Sequence, residues 1–233
     1  LIVLCIYTKA KIDKDKYGLK PVYDGRLLIK VLNLSVWSML HAFISVAPWF
    51  LFFVAIEHLG KTELAISNIT RSVSAIFFVI ANSFAVTTGS LVSNVIGAGA
   101  RNELFPICHK VLKLGYAVGI PFVVVALLCN RWIVSFYTDN ELLIELAFAP
   151  FVVMILNYTF ALPGYVYLNA VGGTGKNKIT FLFQVTTTCV YLVYLYWLSF
   201  CIKASLSLYL TAEYLFVILL ALQSIIHLKS KHY

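Results

Sequence analysis

Residues 206–228 read LSLYLTAEYLFVILLALQSIIHL, a run whose one acidic or basic residue besides His227 is Glu213. About 20 mainly apolar residues in a helix cross the hydrocarbon core of a bilayer. A helix closes its own backbone hydrogen bonds, which lipid cannot do for it. Membrane barrels need strands of roughly 10 residues that alternate apolar and polar. Neither EYLFVILLALQSII (213–226) nor PFVVVALL (121–128) alternates, so a barrel is excluded. Five further segments have the same character: Val36 to Ile56, Leu64 to Val95, Pro106 to Leu128, Leu142 to Val171 and Ile179 to Phe200.

Composition agrees. Of 233 residues, 61% are hydrophobic and 12% charged. Soluble domains are about 25% charged and about 45–50% apolar. The balance excludes an ordinary soluble enzyme, a disordered chain and a collagen-like chain. The fold class expected is an all-α integral membrane protein with six transmembrane helices. The five cysteines form no C-x-x-C pair and read as reduced thiols, with no zinc site or disulfide framework.

The net charge of +8 is a matter of sidedness and not of nucleic acid binding. Fourteen of the 18 basic residues fall on one side of the six crossings. They are Lys9, Lys11, Lys14, Lys16, Lys20, Arg26 and Lys30, then Arg101, Lys110 and Lys113, then Lys176 and Lys178, then Lys229 and Lys231. Lys61, Arg71, Arg131 and Lys203 fall on the other. Basic loops stay cytoplasmic, so both ends of the six-helix unit are expected there, in the plasma (inner) membrane. LIVLCIY (1–7) is apolar but too short to cross. It reads as the end of a preceding transmembrane helix, which makes the chain a fragment of a longer protein. Residues 8–35 read as a basic cytoplasmic linker, 36–228 as the six-helix lobe and 229–233 as a tail. Within the linker, Tyr23 to Ser35 reads equally as an interfacial helix or as a continuation of the first span.

Polar groups inside the spans are the candidate functional residues. The second span carries Asn68, Arg71 and Asn82 among many Ser and Thr, which suits a helix lining a wet cavity. Asn157, Gln184 and Tyr191 join them as candidate cavity or substrate-binding residues. The intramembrane ionisable groups are His41, Arg71 and Glu213, each costly in hydrocarbon. Arg71 and Glu213 each lie seven residues inside the outer end of their span, about 10 Å deep at 1.5 Å per residue. Two outcomes stay open for Arg71: snorkelling to the surface or pairing with Glu213. Glu213 and His41 are the candidates for ion coupling, although a hydrogen-bonded core histidine is the blander reading of His41. Pro48, Pro121, Pro150 and Pro163 are candidate hinges. A carbonyl freed by Pro163 and the Asn157 amide are candidate substrate contacts. Tyr191, Tyr194 and Tyr196 suit either an aromatic wall for lipophilic cations or an interfacial belt.

AVGGTGKNK (170–178) fails the phosphate-loop pattern, with Ala170 and Asn177 where Gly and Ser or Thr belong. It reads as a glycine turn between helices. The Asn68-Ile69-Thr70 glycosylation pattern lies inside a span and is discounted. No metal, cofactor or enzyme constellation is visible.

SLVSNVIGAGARNE (90–103), LNAVGGTGKNK (168–178) and AIEHLGKTELAISNI (55–69) together resemble multidrug and toxic compound extrusion (MATE) transporters, specifically their C-terminal half. The resemblance implies one lobe of a two-lobe, twelve-helix transporter, whose partner is a missing N-terminal six-helix lobe of the same protein. It implies a secondary active antiporter, exporting organic cations or other amphipathic small molecules by alternating access. Coupling would be to Na⁺ or H⁺ influx, with no other cofactor and the lipid bilayer as surroundings. The positions matching the family's acidic coupling residues fall near Ser45 and Ala161, and neither is acidic. Alternatives are a flippase for lipid-linked precursors or a non-transporting six-helix membrane subunit.

Overall fold

A computed structural model describes residues 24–202 and 204–230. The expectations for residues 1–23, Lys203 and 231–233 lie outside the described residues. The chain divides into two compact units, Leu1–Val36 and Trp37–Tyr233.

The described residues form eight α-helices: α1 Gly25–Glu57, α2 Lys61–Gly97, α3 Leu104–Leu128, α4 Asn130–Ser135, α5 Glu141–Leu156, α6 Tyr158–Gly173, α7 Asn177–Trp197 and α8 Leu206–Ser230. Six stretches are long and apolar enough to cross a membrane, the fourth being α5 and α6 in line. In the first unit, Asp24 caps α1. Its Oδ1 accepts from the backbone N–H of Arg26 at 2.9 Å and of Leu27 at 3.2 Å. From Gly25 to Ser35 the chain forms the first turns of α1.

In the second unit the core lies where α2, α6 and α8 meet, and α6 packs against both of the others. Close approach needs small residues. A Cβ on Gly173 would collide with the Gly89 carbonyl, so α2 and α6 touch there by backbone. The Ser93 hydroxyl adds a bond to the Gly173 carbonyl at 2.8 Å. The glycine turn after α2 has a physical cause. Gly99 sits at φ 74°, its N–H bonds the Ile96 carbonyl, and the Ala100 N–H bonds that of Val95. These two bonds satisfy carbonyls that the helix end leaves open.

Outward faces are apolar. Phe43, Phe50, Leu128 and Val193 are each more than two-thirds exposed, as a lipid-facing surface requires. From Trp37 onward α1 stands off from the bundle. It reaches the others by aromatic side chains (Trp49 on Phe78, Trp37 on Phe181) more than by close backbone packing.

The prolines behave differently from one another. α3 runs unbroken through an exposed Pro121, and α1 through a buried Pro48. The fourth span does break, but at Asn157, between Pro150 and Pro163. Pro163 has no N–H for the Thr159 carbonyl. The Tyr116 hydroxyl of α3 takes that carbonyl at 2.7 Å. In return the Tyr158 hydroxyl bonds the Gly115 carbonyl at 2.7 Å. From α8 the Tyr214 hydroxyl bonds the Val153 carbonyl at 2.5 Å, one residue turn before the break. The carbonyl expected to be free for substrate is thus already occupied by a tyrosine.

Candidate functional site

The deepest polar cluster is built from three spans. Arg71 of α2 and Glu213 of α8 meet with Nη2 2.5 Å from Oε1, their side chains 3% and 9% exposed. Tyr191 of α7 donates to the same oxygen at 3.1 Å. The Arg71 guanidinium lies over Phe52, 3.9 Å from the ring centroid, with Trp49 at 4.9 Å and Phe53 at 5.4 Å. Arg71 therefore points inward and does not snorkel. Aromatic faces attract a desolvated guanidinium by up to about 2 kcal/mol. Its Nε and Nη1 have no hydrogen-bond partner among the described residues.

Beside this cluster a cavity of about 380 Å³ fills the gap between α1 and the bundle. His41, Ser45, Pro48 and Trp49 line it from α1, Phe78 and Asn82 from α2, and Tyr165 and Asn169 from α6. Gln184 of α7 and Glu213 and Phe216 of α8 close it. Gln184 is buried at 2% exposure. A small pocket of about 40 Å³ adjoins, where Asn157, Ser74, Tyr165 and Glu213 converge. Asn157 Oδ1 is buried there without a partner among the described residues. Toward the Gly99 and Gly175 end, His41 and Asn169 also line a second cavity of about 350 Å³, with Ser90, Ser93 and Thr180.

Of the sequence candidates, His41, Pro48, Asn82, Gln184 and Glu213 thus come together on one cavity, and Asn157 joins through the pocket beside it. Three expectations are corrected. Tyr191 is fully buried and bonded to Glu213, so it is no cavity wall. Tyr196 is exposed and Tyr194 bonds Thr211 of α8 at 3.1 Å, so Tyr196 does not share the side of α7 that Tyr191 and Tyr194 turn to α8. His41 is not a hydrogen-bonded core histidine, because its Nε2 is buried with no partner among the described residues. Asn68 lies apart, on the exposed face of α2. Trp49, Tyr165 and Asn169 went unremarked in the sequence. Asn169 carried a signal, an amide inside an apolar run.

The family model MatE matches residues 38–198. The chain belongs to the MatE family. MatE proteins are membrane transporters and not enzymes. No curated relative matches the chain. Three solved structures are similar to this MatE chain. A crystal structure of MATE in the bent conformation has 17% identity and a TM-score of 0.73, covering 84% of this chain and 44% of that one. An inward-facing multidrug resistance MATE family transporter of the MOP superfamily has 17% identity and a TM-score of 0.71, covering 81% and 43%. MATE in complex with MaL6 has 16% identity and a TM-score of 0.74, covering 90% and 49%. At such identities the likeness is one of fold. The chain spans about half the length of each.

Proposed function

We propose that this chain is the C-terminal six-helix lobe of a two-lobe plasma-membrane exporter. It moves amphipathic compounds by alternating access, driven by Na⁺ or H⁺ influx, with both lobe ends cytoplasmic. The observation that carries the reading is the cavity between α1 and the bundle, in a chain of the MatE family. Its volume of about 380 Å³ is within the range for drug-sized ligands, and its lining mixes aromatic rings with a few polar groups.

A second lobe is supported by the outer face of α2. Asn68, Ser72, Ser83, Thr87, Ser90 and Asn94 are exposed there at helical spacing. Lipid offers amides no partner, so this face suits a wet cleft between lobes. Asn68 then belongs to that cleft. Pro48 is the proposed hinge: it sits in the helix with the fewest close neighbours, beside the cavity. Pro150 and Pro163 flank a break held by Tyr214 and Tyr116, which suits a fixed bend.

Glu213 is the proposed coupling carboxylate. No other Asp or Glu lies comparably deep in a described span. A proton or Na⁺ on Glu213 would compete directly with Arg71. The flippase alternative needs a cationic cavity, and Arg71 is spent on Glu213. The test is efflux of amphipathic dyes by the full-length protein in proteoliposomes under imposed Na⁺ or pH gradients. Gradient-driven export that Glu213→Gln uncouples is expected. Absence of gradient-driven export of any dye overturns the transport reading, and unchanged coupling in Glu213→Gln removes Glu213 from it.

A further inference from the structure

The cavity's charge balance and its neutral polar groups say more about the ligand, given the transport reading above. Glu213 is the cavity's one carboxylate among the described residues, and it is compensated from behind. Arg71 holds Oε1 at 2.5 Å and Tyr191 donates to the same atom. Arg71 itself rests on Phe52, outside the cavity lining. α6 and α7 bring no charged side chain to the wall, α1 brings His41, and α2 brings the neutral Asn82. The site is therefore close to electroneutral. A cation entering it loses several kcal/mol of hydration and gains no net countercharge.

The polar groups that remain are neutral. Gln184 is 2% exposed and lines the cavity. Tyr165 lines it too. A ligand carboxamide or carbonyl can pair with both groups and replace the water that wets them. Trp49, Phe78 and Phe216 add aromatic rings to the lining.

We propose that this cavity takes an uncharged aromatic amphipath bearing a carboxamide or carbonyl group, read by Gln184 and Tyr165, and disfavours the cationic counterpart while Arg71 holds Glu213. Selectivity for charge is then set by Arg71 and selectivity for the amide by Gln184.

The test uses the full-length protein in proteoliposomes and a matched probe pair, N-benzylnicotinamide and its 1-methylpyridinium derivative. Binding and gradient-driven export are both measured. The wild type should prefer the uncharged probe by about tenfold or more, because the cation gives up its hydration for no net countercharge. Both probes carry the carboxamide, so Gln184→Leu should weaken the binding of both by about tenfold, with the preference for the uncharged probe kept and the melting temperature unchanged. Arg71→Gln, which unmasks Glu213, should bring the cation level with the uncharged probe or above it. Preference of the wild type for the cation, or unaltered affinity for both probes in Gln184→Leu, overturns the proposal. So does failure of both probes to bind while amphipathic dyes are still exported. If no dye is exported under any gradient, the transport reading itself has failed, and that result is separate.

Discussion

Breaking the Arg71–Glu213 pair from one side should cost far more than removing both partners. At 2.5 Å and an effective dielectric near 20, the attraction is about 7 kcal/mol before desolvation. Desolvating each ion takes back several kcal/mol, so the pair contributes little net stability against a well-packed apolar pair. Removing one ion is different, because the other stays buried and unpaired at a cost of about 3–5 kcal/mol. In Arg71→Met the buried survivor is Glu213, with only Tyr191 on it. In Glu213→Met it is Arg71, whose Nε and Nη1 already lack partners. A unit of roughly 200 residues loses about 2–4 °C of melting temperature per kcal/mol. Each single variant should therefore melt about 6–20 °C below wild type. The double variant should return to within about 2 kcal/mol of wild type, the remainder being the Tyr191 hydroxyl left without its acceptor. The assay is thermal unfolding of the purified full-length protein in one detergent, with all four members of the cycle in parallel. Singles that each melt within about 3 °C of wild type, or a double whose loss equals the sum of the singles, would refute the reasoning.

Three further outcomes follow from the packing. Tyr116→Phe should destabilise by about 1–3 kcal/mol, because it leaves the Thr159 carbonyl without a donor; in a Pro163→Ala background the restored backbone N–H takes that carbonyl, and the same substitution should cost less than about 1 kcal/mol. A penalty equal in both backgrounds contradicts this account of the bend. Gly173→Val should cost about 1–3 kcal/mol or more in unfolding assays, since its Cβ falls on the Gly89 carbonyl and α2 must move away from α6; wild-type stability would mean that the two helices do not meet there. For sidedness, a cysteine at Asp139 should label with an impermeant maleimide in intact cells and one at Lys176 should not; the reverse pattern would invert the orientation.

The spans were legible because run length and hydropathy are local properties, and lipid leaves a helix little alternative. The meeting of Arg71 with Glu213 was legible for a related reason. Two ions at equal depth in different spans have few other partners. The break at Asn157 was not legible, since no glycine or proline sits at that position. Hydroxyls from α3 and α8 hold it, and the sequence alone does not say which tyrosines reach which carbonyl. Tyr191 was misassigned on the same ground. An aromatic residue suits a core, a cavity or an interface equally well, and only the neighbouring helix decides.

Hydroxyls and amides in α2 carry different information. Ser72, Ser83, Thr87 and Thr88 each donate to the carbonyl four residues before them, at 2.8 Å. A hydroxyl that bonds its own helix is satisfied in any surroundings, including lipid, so its presence in a span marks no site. A carboxamide has two donors and a carbonyl to satisfy, more than this back-bond to its own helix provides. Asn82 accordingly opens on the cavity with Gln184. Asn68 and Asn94 lie on the outer face of α2. Bare hydrocarbon would leave each of them short of partners by a few kcal/mol. The amides, not the more numerous hydroxyls, therefore mark the two surfaces that need something other than lipid against them: the gap behind α1, and the face of α2 proposed to meet a second lobe.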